Sequence, residues 1–235
     1  MNEKIELIFS KYNLDDDERK ELLAIINPII CHDEFKRRTT SEFLHHSDIT
    51  LGEHIIEDAV ETYKLCKKKN KKKAKVNTRL AVIISMFHDL YTNPWQNNKS
   101  NKVKKFSNKH GFRHPLEAVI NAYNWYPDFF QNDKEAVIII DGIIHHMYPL
   151  PVSRFKTDNK NELKNYELVN NLNKNIKDMI YLSSNRNKLF NFSFSKSKYL
   201  EGRIMAKADK KVSLKQIKNV SSGLSLITGK NKKIK

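Results

Sequence analysis

The chain has 235 residues, and 43 Lys and Arg against 27 Asp and Glu leave a formal charge of +16. Only 6 Gly and 6 Pro argue against a turn-rich sandwich or barrel and for long helices joined by polar loops. No apolar run reaches the ~18 residues of a membrane span, the acidic cluster Asp15 to Glu18 is not the layout of a signal peptide, and Cys31 and Cys66 alone supply neither a disulfide framework nor a Cys zinc site.

In chain order, residues 1–12 and 15–31 predict two short helices, the second with Leu22, Leu23, Ile25, Ile26 and Ile29 on a broad apolar face. A helix over 51–69 has Thr50 as its N-cap and Ile55, Ala59, Tyr63 and Cys66 on one stripe. Seven Lys fall in the nine residues Lys67 to Lys75, where a basic helix end complements the macrodipole. The helix over 76–90 is more apolar and so more buried. Residues 91–113 lack periodicity and read as a long loop beside a helix end, a frequent place for function. Pro115 suits the first turn of a helix running to Trp125. Residues 133–147 make a buried helix, 155–195 one helix and an irregular stretch, and 197–218 the last long helix. A basic tail over 219–235 is expected to fray. The expected protein is cytoplasmic and all-α, a helical bundle over 43–218 with 1–42 as a helical extension packed on it.

The placement of imidazoles and carboxylates carries the chemistry. His88-Asp89 ends the most apolar helix, where an unpaired carboxylate costs several kcal/mol. Asp141, His145 and His146 interrupt the apolar run Val137 to Met147, His114 opens a helix next to Pro115, and His54 edges the stripe of 51–69. Asp209 follows Ile204 to Ala208 in the last long helix. Side chains projecting inward from different helices are how bundles build metal sites. Each residue taken singly also reads as a hydrogen-bonded core histidine or half of a surface ion pair. Asp141 lies four before His145, placed to orient it or to face solvent. His45 and His46, just before the helix carrying His54, are within reach of the site or peripheral to it as loop positions, and Tyr91 and Trp95 suit stacking on a base, covering the pocket or loop packing.

The order His54, His88-Asp89, His114, His145-His146, Asp209 resembles the HD-domain superfamily of metal-dependent phosphohydrolases, helical bundles with the signature His, His-Asp, Asp. His114 in Gly111-Phe112-Arg113-His114-Pro115 and the pair His145-His146 resemble the versions that hold two metals, in part the HD-GYP phosphodiesterases. The chain departs from those in having Met147-Tyr148-Pro149-Leu150 after the pair. It is closer to a group of uncharacterised HD proteins with a His-Met-Trp-Pro-Leu element and an Asp-Lys matched by Asp209-Lys210. The resemblance covers roughly 43–150 and 200–215, with 155–195 as an insertion.

The resemblance implies a first metal on His54, His88, Asp89 and Asp209, with Asp89 bridging to a second on His114, His146 and His145. Mixed imidazole and carboxylate donors suit Mn, Fe, Co, Ni or Zn. Such ions activate water, and Arg113 and Lys210 are the candidates for binding an anionic substrate. The implied reaction is hydrolysis of a phosphomonoester or phosphodiester of a nucleotide or small phosphorylated metabolite. Two other readings stand beside it: a di-iron oxygenase of HD type, and a metal-stabilised protein that binds nucleic acid through Lys67 to Lys75. The latter run lacks a binding fold, which makes nucleic acid the lesser partner.

Overall fold

The computed structural model describes residues 2–46, 48–93, 107, 109–156 and 167–227, with backbone alone at 2, 46 and 218–227. It is all-α, with small antiparallel pairs at its edges. The chain opens with α1 (Asn2–Lys11), α2 (Asp16–Ile30) and α3 (Asp33–Arg38), then a short hairpin of β1 (Leu44–His46) and β2 (Ile49–Thr50). The central helices are α4 (Leu51–Lys71), α5 (Thr78–Phe87), α6 (His110–Trp125) and α7 (Asp133–Ile144). After β3 (Val152–Ser153) come α8 (Glu167–Asn170), α9 (Lys174–Ser184), β4 (Lys188–Leu189) and β5 (Phe192–Ser193); α10 (Leu200–Ile227) closes the described chain. Among the described residues no helix is long and apolar enough to cross a membrane.

Local chemistry sets the helix starts. Asp15 and Thr50 form capping boxes with Glu18 and Glu53, so each side chain takes a backbone N–H of the other's turn. Asn77, Asn132 and Asn173 cap α5, α7 and α9. Part of the Asn-rich loop composition is thus helix punctuation. Packing is centred on α4, which lies against α10, α5 and α1, while α7 lies against α5, α10 and α9. One apolar core runs from Ile5 and Phe9 through Ile55, Ile84 and Ile140 to Met205.

Several boundaries depart from expectation. α6 begins at His110, so Pro115 sits inside it rather than in its first turn. Pro115 has no N–H to return to the carbonyl four residues back, yet five residues of helix precede it. α7 stops at Ile144, and His145 is its C-cap rather than a helical residue. The stretch 155–195 holds two helices and a hairpin where one helix was expected. α3, β1 and β2 were not foreseen, being too short to show a period. α10 runs well into the expected tail. Trp95, residues 157–166 of the insertion and 228–235 of the tail lie outside the described residues.

Candidate metal centre

Three helices and the turns that end two others bring the ionisable groups together. His54 and Asp58 are one turn apart on α4 and share a face. His88 is the C-cap of α5, and the chain turns there, with the Tyr91 N–H donating to the Asp89 carbonyl at 2.8 Å. His114 comes from α6, His146 from the turn after α7, and Asp209 from α10. All seven are buried.

The imidazoles are held in one orientation from behind. His88 Nδ1 lies 2.6 Å from the Ser85 carbonyl, His146 Nδ1 2.7 Å from that of Ile143, and His114 Nδ1 3.1 Å from that of His110. His54 Nδ1 lies 3.1 Å from Gln216 Oε1, whose amide nitrogen donates to Glu57 Oε2 at 2.9 Å. A carbonyl oxygen cannot donate, so Nδ1 carries the proton in each ring. All four Nε2 lone pairs therefore face the centre, the arrangement of a metal-binding imidazole fixed by a second hydrogen bond.

Asp89 divides the centre. Its Oδ2 lies 3.7 Å from His88 Nε2 and 4.0 Å from His54 Nε2. Its Oδ1 lies 3.3 Å from His114 Nε2 and 3.8 Å from His146 Nε2. Asp58 Oδ2 is 3.0 Å from His54 Nε2 and 3.4 Å from His88 Nε2, and Asp209 Oδ1 is 3.7 Å from His54 Nε2. Two ligand sets lie on either side, His54, Asp58, His88 and Asp209 on one and Asp89, His114 and His146 on the other, and a third group of His45, His54 and Asp89 overlaps them. In the first set, both oxygens of Asp58 and the Nε2 atoms of His54 and His88 have no hydrogen-bond partner. Buried acceptors facing one another without a proton between them are costly, and a cation removes that cost. The donor atoms present fit divalent transition ions.

Charge in the metal-free centre is suppressed by burial. It pushes the Asp58 carboxyl well up, helped by Asp209 and Asp89, and Asp209 up to about 6. Burial also drives His54 and His146 well below the ordinary imidazole range. For Asp89 burial pushes upward, but the facing rings of His88, His114 and His146 outweigh it and hold the carboxyl low.

A cavity of about 490 Å³ opens onto the second set, lined by Tyr91, His110, Met147 and Lys210 beside the ligands. Lys210 thus stands at the mouth, with its ammonium donating to the Tyr148 carbonyl. Arg113 does not line this cavity; it pairs with Glu117 at 2.7 Å on its own helix. His145, expected as a ligand, stands outside both sets. Its Nε2 faces the Ser183 carbonyl at 3.2 Å and lies 3.9 Å from Asp141. Once α7 has ended, neighbouring residues point apart, and His146 alone faces the centre. Asp141 is an anchor for the insertion: it accepts from Ser183 and Ser197 hydroxyls, the Lys198 N–H and Arg186.

Asp58 exceeds the sequence expectation, and His45 is placed at the site rather than at its periphery. Asp58 belongs to the first set, its signal being the i,i+4 spacing from His54. His45 stacks on His54 with ring centroids 3.8 Å apart and also lies near Asp89. The lysine run 67–75 lies at the far end of α4, 17 residues from His54 to Lys71 or roughly 25 Å along the helix. No family model matches the chain, and no curated protein or solved structure matches it.

Proposed function

We propose that this chain is a metal-dependent phosphohydrolase of the HD-domain type, cleaving a phosphate ester with a metal-activated water. The observation that carries the reading is Asp89, whose two oxygens face two separate imidazole pairs. His54, Asp58, His88 and Asp209 would hold one ion, His114 and His146 the other, and Asp89 would touch both. Bound divalent ions acidify water to near-neutral pKa and neutralise charge on phosphate oxygens.

The chain's own groups do the rest. The backbone carbonyls and Gln216 keep every Nε2 lone pair directed inward. Lys210 retains donors beyond its bond to Tyr148 and offers a cation where an anionic substrate enters. His110, which burial holds near a pKa of about 4, is neutral at pH 7 and lines the same mouth as a hydrogen-bonding group. Ser213 also lines the cavity, where its hydroxyl donates to the candidate ligand Asp209 at 3.2 Å, and a metal-activated water would be the attacking group.

The test is metal analysis of the purified protein followed by a phosphate-ester screen with added Mn, Co or Fe. Two ions per chain are expected, with turnover abolished by chelator, restored by these ions rather than Ca, and lost in Asp89→Ala. Full turnover in excess chelator overturns the mechanism. Iron with substrate-linked oxygen consumption and no phosphate release replaces it with the oxygenase reading.

A further inference from the structure

Two more cavities continue from the metal centre along the insertion. The first, about 300 Å³, shares Lys210 with the metal cavity and is walled by His145, Tyr148, Lys196, Arg203 and Lys207. The second, about 390 Å³, shares Lys196, Ser197 and Arg203 with the first and adds Arg186, Asn187 and Lys198. The three spaces are thus neighbours that share wall residues. Arg203, Lys207 and Lys210 fall at i, i+4 and i+7 of α10, one basic stripe about 10 Å long on the helix that also delivers Asp209.

The lining has one sign of charge. Among the described residues, no carboxylate lines either cavity, and Lys196, Lys198, Arg203 and Lys207 form no ion pair. Their side chains are exposed. The buried Ser195 hydroxyl in the second cavity has no hydrogen-bond partner, and neither has Arg186 Nε. An aromatic ring accompanies the cations: Tyr148, 41% exposed, walls the first cavity. Cations on phosphates and a ring under a base are the chemistry that holds single-stranded nucleic acid. A bare phosphate chain has no use for the ring.

We infer that the substrate is a short single-stranded oligonucleotide, lying along the α10 stripe with one phosphate at the metal centre. This deepens the phosphohydrolase reading and rests on it. The stripe accommodates about three nucleotides at the ~3.4 Å per-nucleotide rise of a stacked strand. The reaction is hydrolysis: a water oxygen bonds to phosphorus, the ester P–O bond breaks, and the water's proton ends on the released hydroxyl. The lysine run 67–75 takes no part.

Binding is read apart from turnover, by fluorescence anisotropy of a fluorescein-labelled phosphorothioate hexathymidylate on the protein as purified. Lys196→Ala/Arg203→Ala/Lys207→Ala is expected to raise Kd at least tenfold and to flatten its salt dependence. Tyr148→Ala is expected to raise Kd several-fold at any salt concentration. Lys68→Ala/Lys69→Ala/Lys71→Ala, with the same charge change at the far end of α4, is expected to shift Kd less than twofold. Equal loss in both lysine variants reduces the effect to net charge and overturns the inference. So does displacement by inorganic tripolyphosphate as effective as by unlabelled hexathymidylate, with the aromatic variant binding like the parent. With the unmodified oligonucleotide, release of nucleotides by the parent is expected. Hydrolysis of small esters without it overturns the substrate, whereas tight selective binding with no hydrolysis of any ester overturns the phosphohydrolase reading instead.

Discussion

Asp58 shows how much one carboxylate decides. It is fully buried, both its oxygens lack hydrogen-bond partners, and burial pushes its pKa well up. Asp58→Asn keeps the shape and removes the charge. The expected outcome is a metal-free protein at least as stable, because an uncompensated buried acid is gone, together with at least tenfold weaker binding of one ion. Thermal melts in chelator and metal content after dialysis read the two effects; unchanged content would make Asp58 a packing residue. Protons compete with metal at these groups, so affinity should fall as pH drops through the value of about 6 to which Asp209 is raised. Much of this centre was legible in the sequence. His88, Asp89 and His146 stand out as polar residues breaking apolar runs. His145 breaks the same run, and only the end of α7 at Ile144 separates the two neighbours. Asp58 was hidden because it stands between Glu57 and Glu61 with no apolar run to mark it, whereas all three are buried on a helix enclosed by α1, α5 and α10.

At the scale of elements, the crossing of α7 and α10 sets the position of Asp209. A Cβ built on Gly202 would lie 2.7 Å from the Gly142 Cα, and one on Gly142 would lie 2.7 Å from an Ile84 methyl. The Gly202 contact is with backbone, so a methyl there cannot be relieved by a rotamer change. Gly202→Ala is expected to cost about 1–3 kcal/mol and to push α10 outward. Asp209 is seven residues further along and moves with it, so metal affinity should fall too. A melt and a metal titration measured together check this; lost stability with unchanged affinity would show that the helix hinges between the two. The long helices were readable from their 3.6-residue stripes and, for α4, from the Thr50 cap, whereas the Asn caps of α5, α7 and α9 emerged only in the structure. α8 and the hairpin of β4 and β5 were not, because four-residue and two-residue elements carry no period and form only against α6 and β3.

Across the whole molecule, α1 to α3 are joined to the helices of the candidate metal centre by more than apolar packing. The Tyr63 hydroxyl donates to Glu21 at 2.6 Å, and the Tyr126 hydroxyl to the Ile29 carbonyl at 3.2 Å. Arg38 is fully buried, stacks on Trp125 at 4.5 Å and donates to the Tyr91 carbonyl, two residues after Asp89. Removal of residues 1–42 is therefore expected to abolish cooperative unfolding, as read by circular dichroism, because Ile5, Phe9, Leu22 and Ile26 belong to the common core. A sharp transition in the shortened chain would show that 43–227 folds alone. Lys11, Glu57, Gln216 and His54 also form one hydrogen-bonded chain across α1, α4 and α10. Within it the Gln216 amide has only one satisfactory orientation, since a flip would aim N–H at N–H and oxygen at carboxylate. His54 is consequently in its receiving tautomer before any ion arrives. A metal ion bound at this ring would therefore require no proton rearrangement there, since Nε2 already carries its lone pair inward.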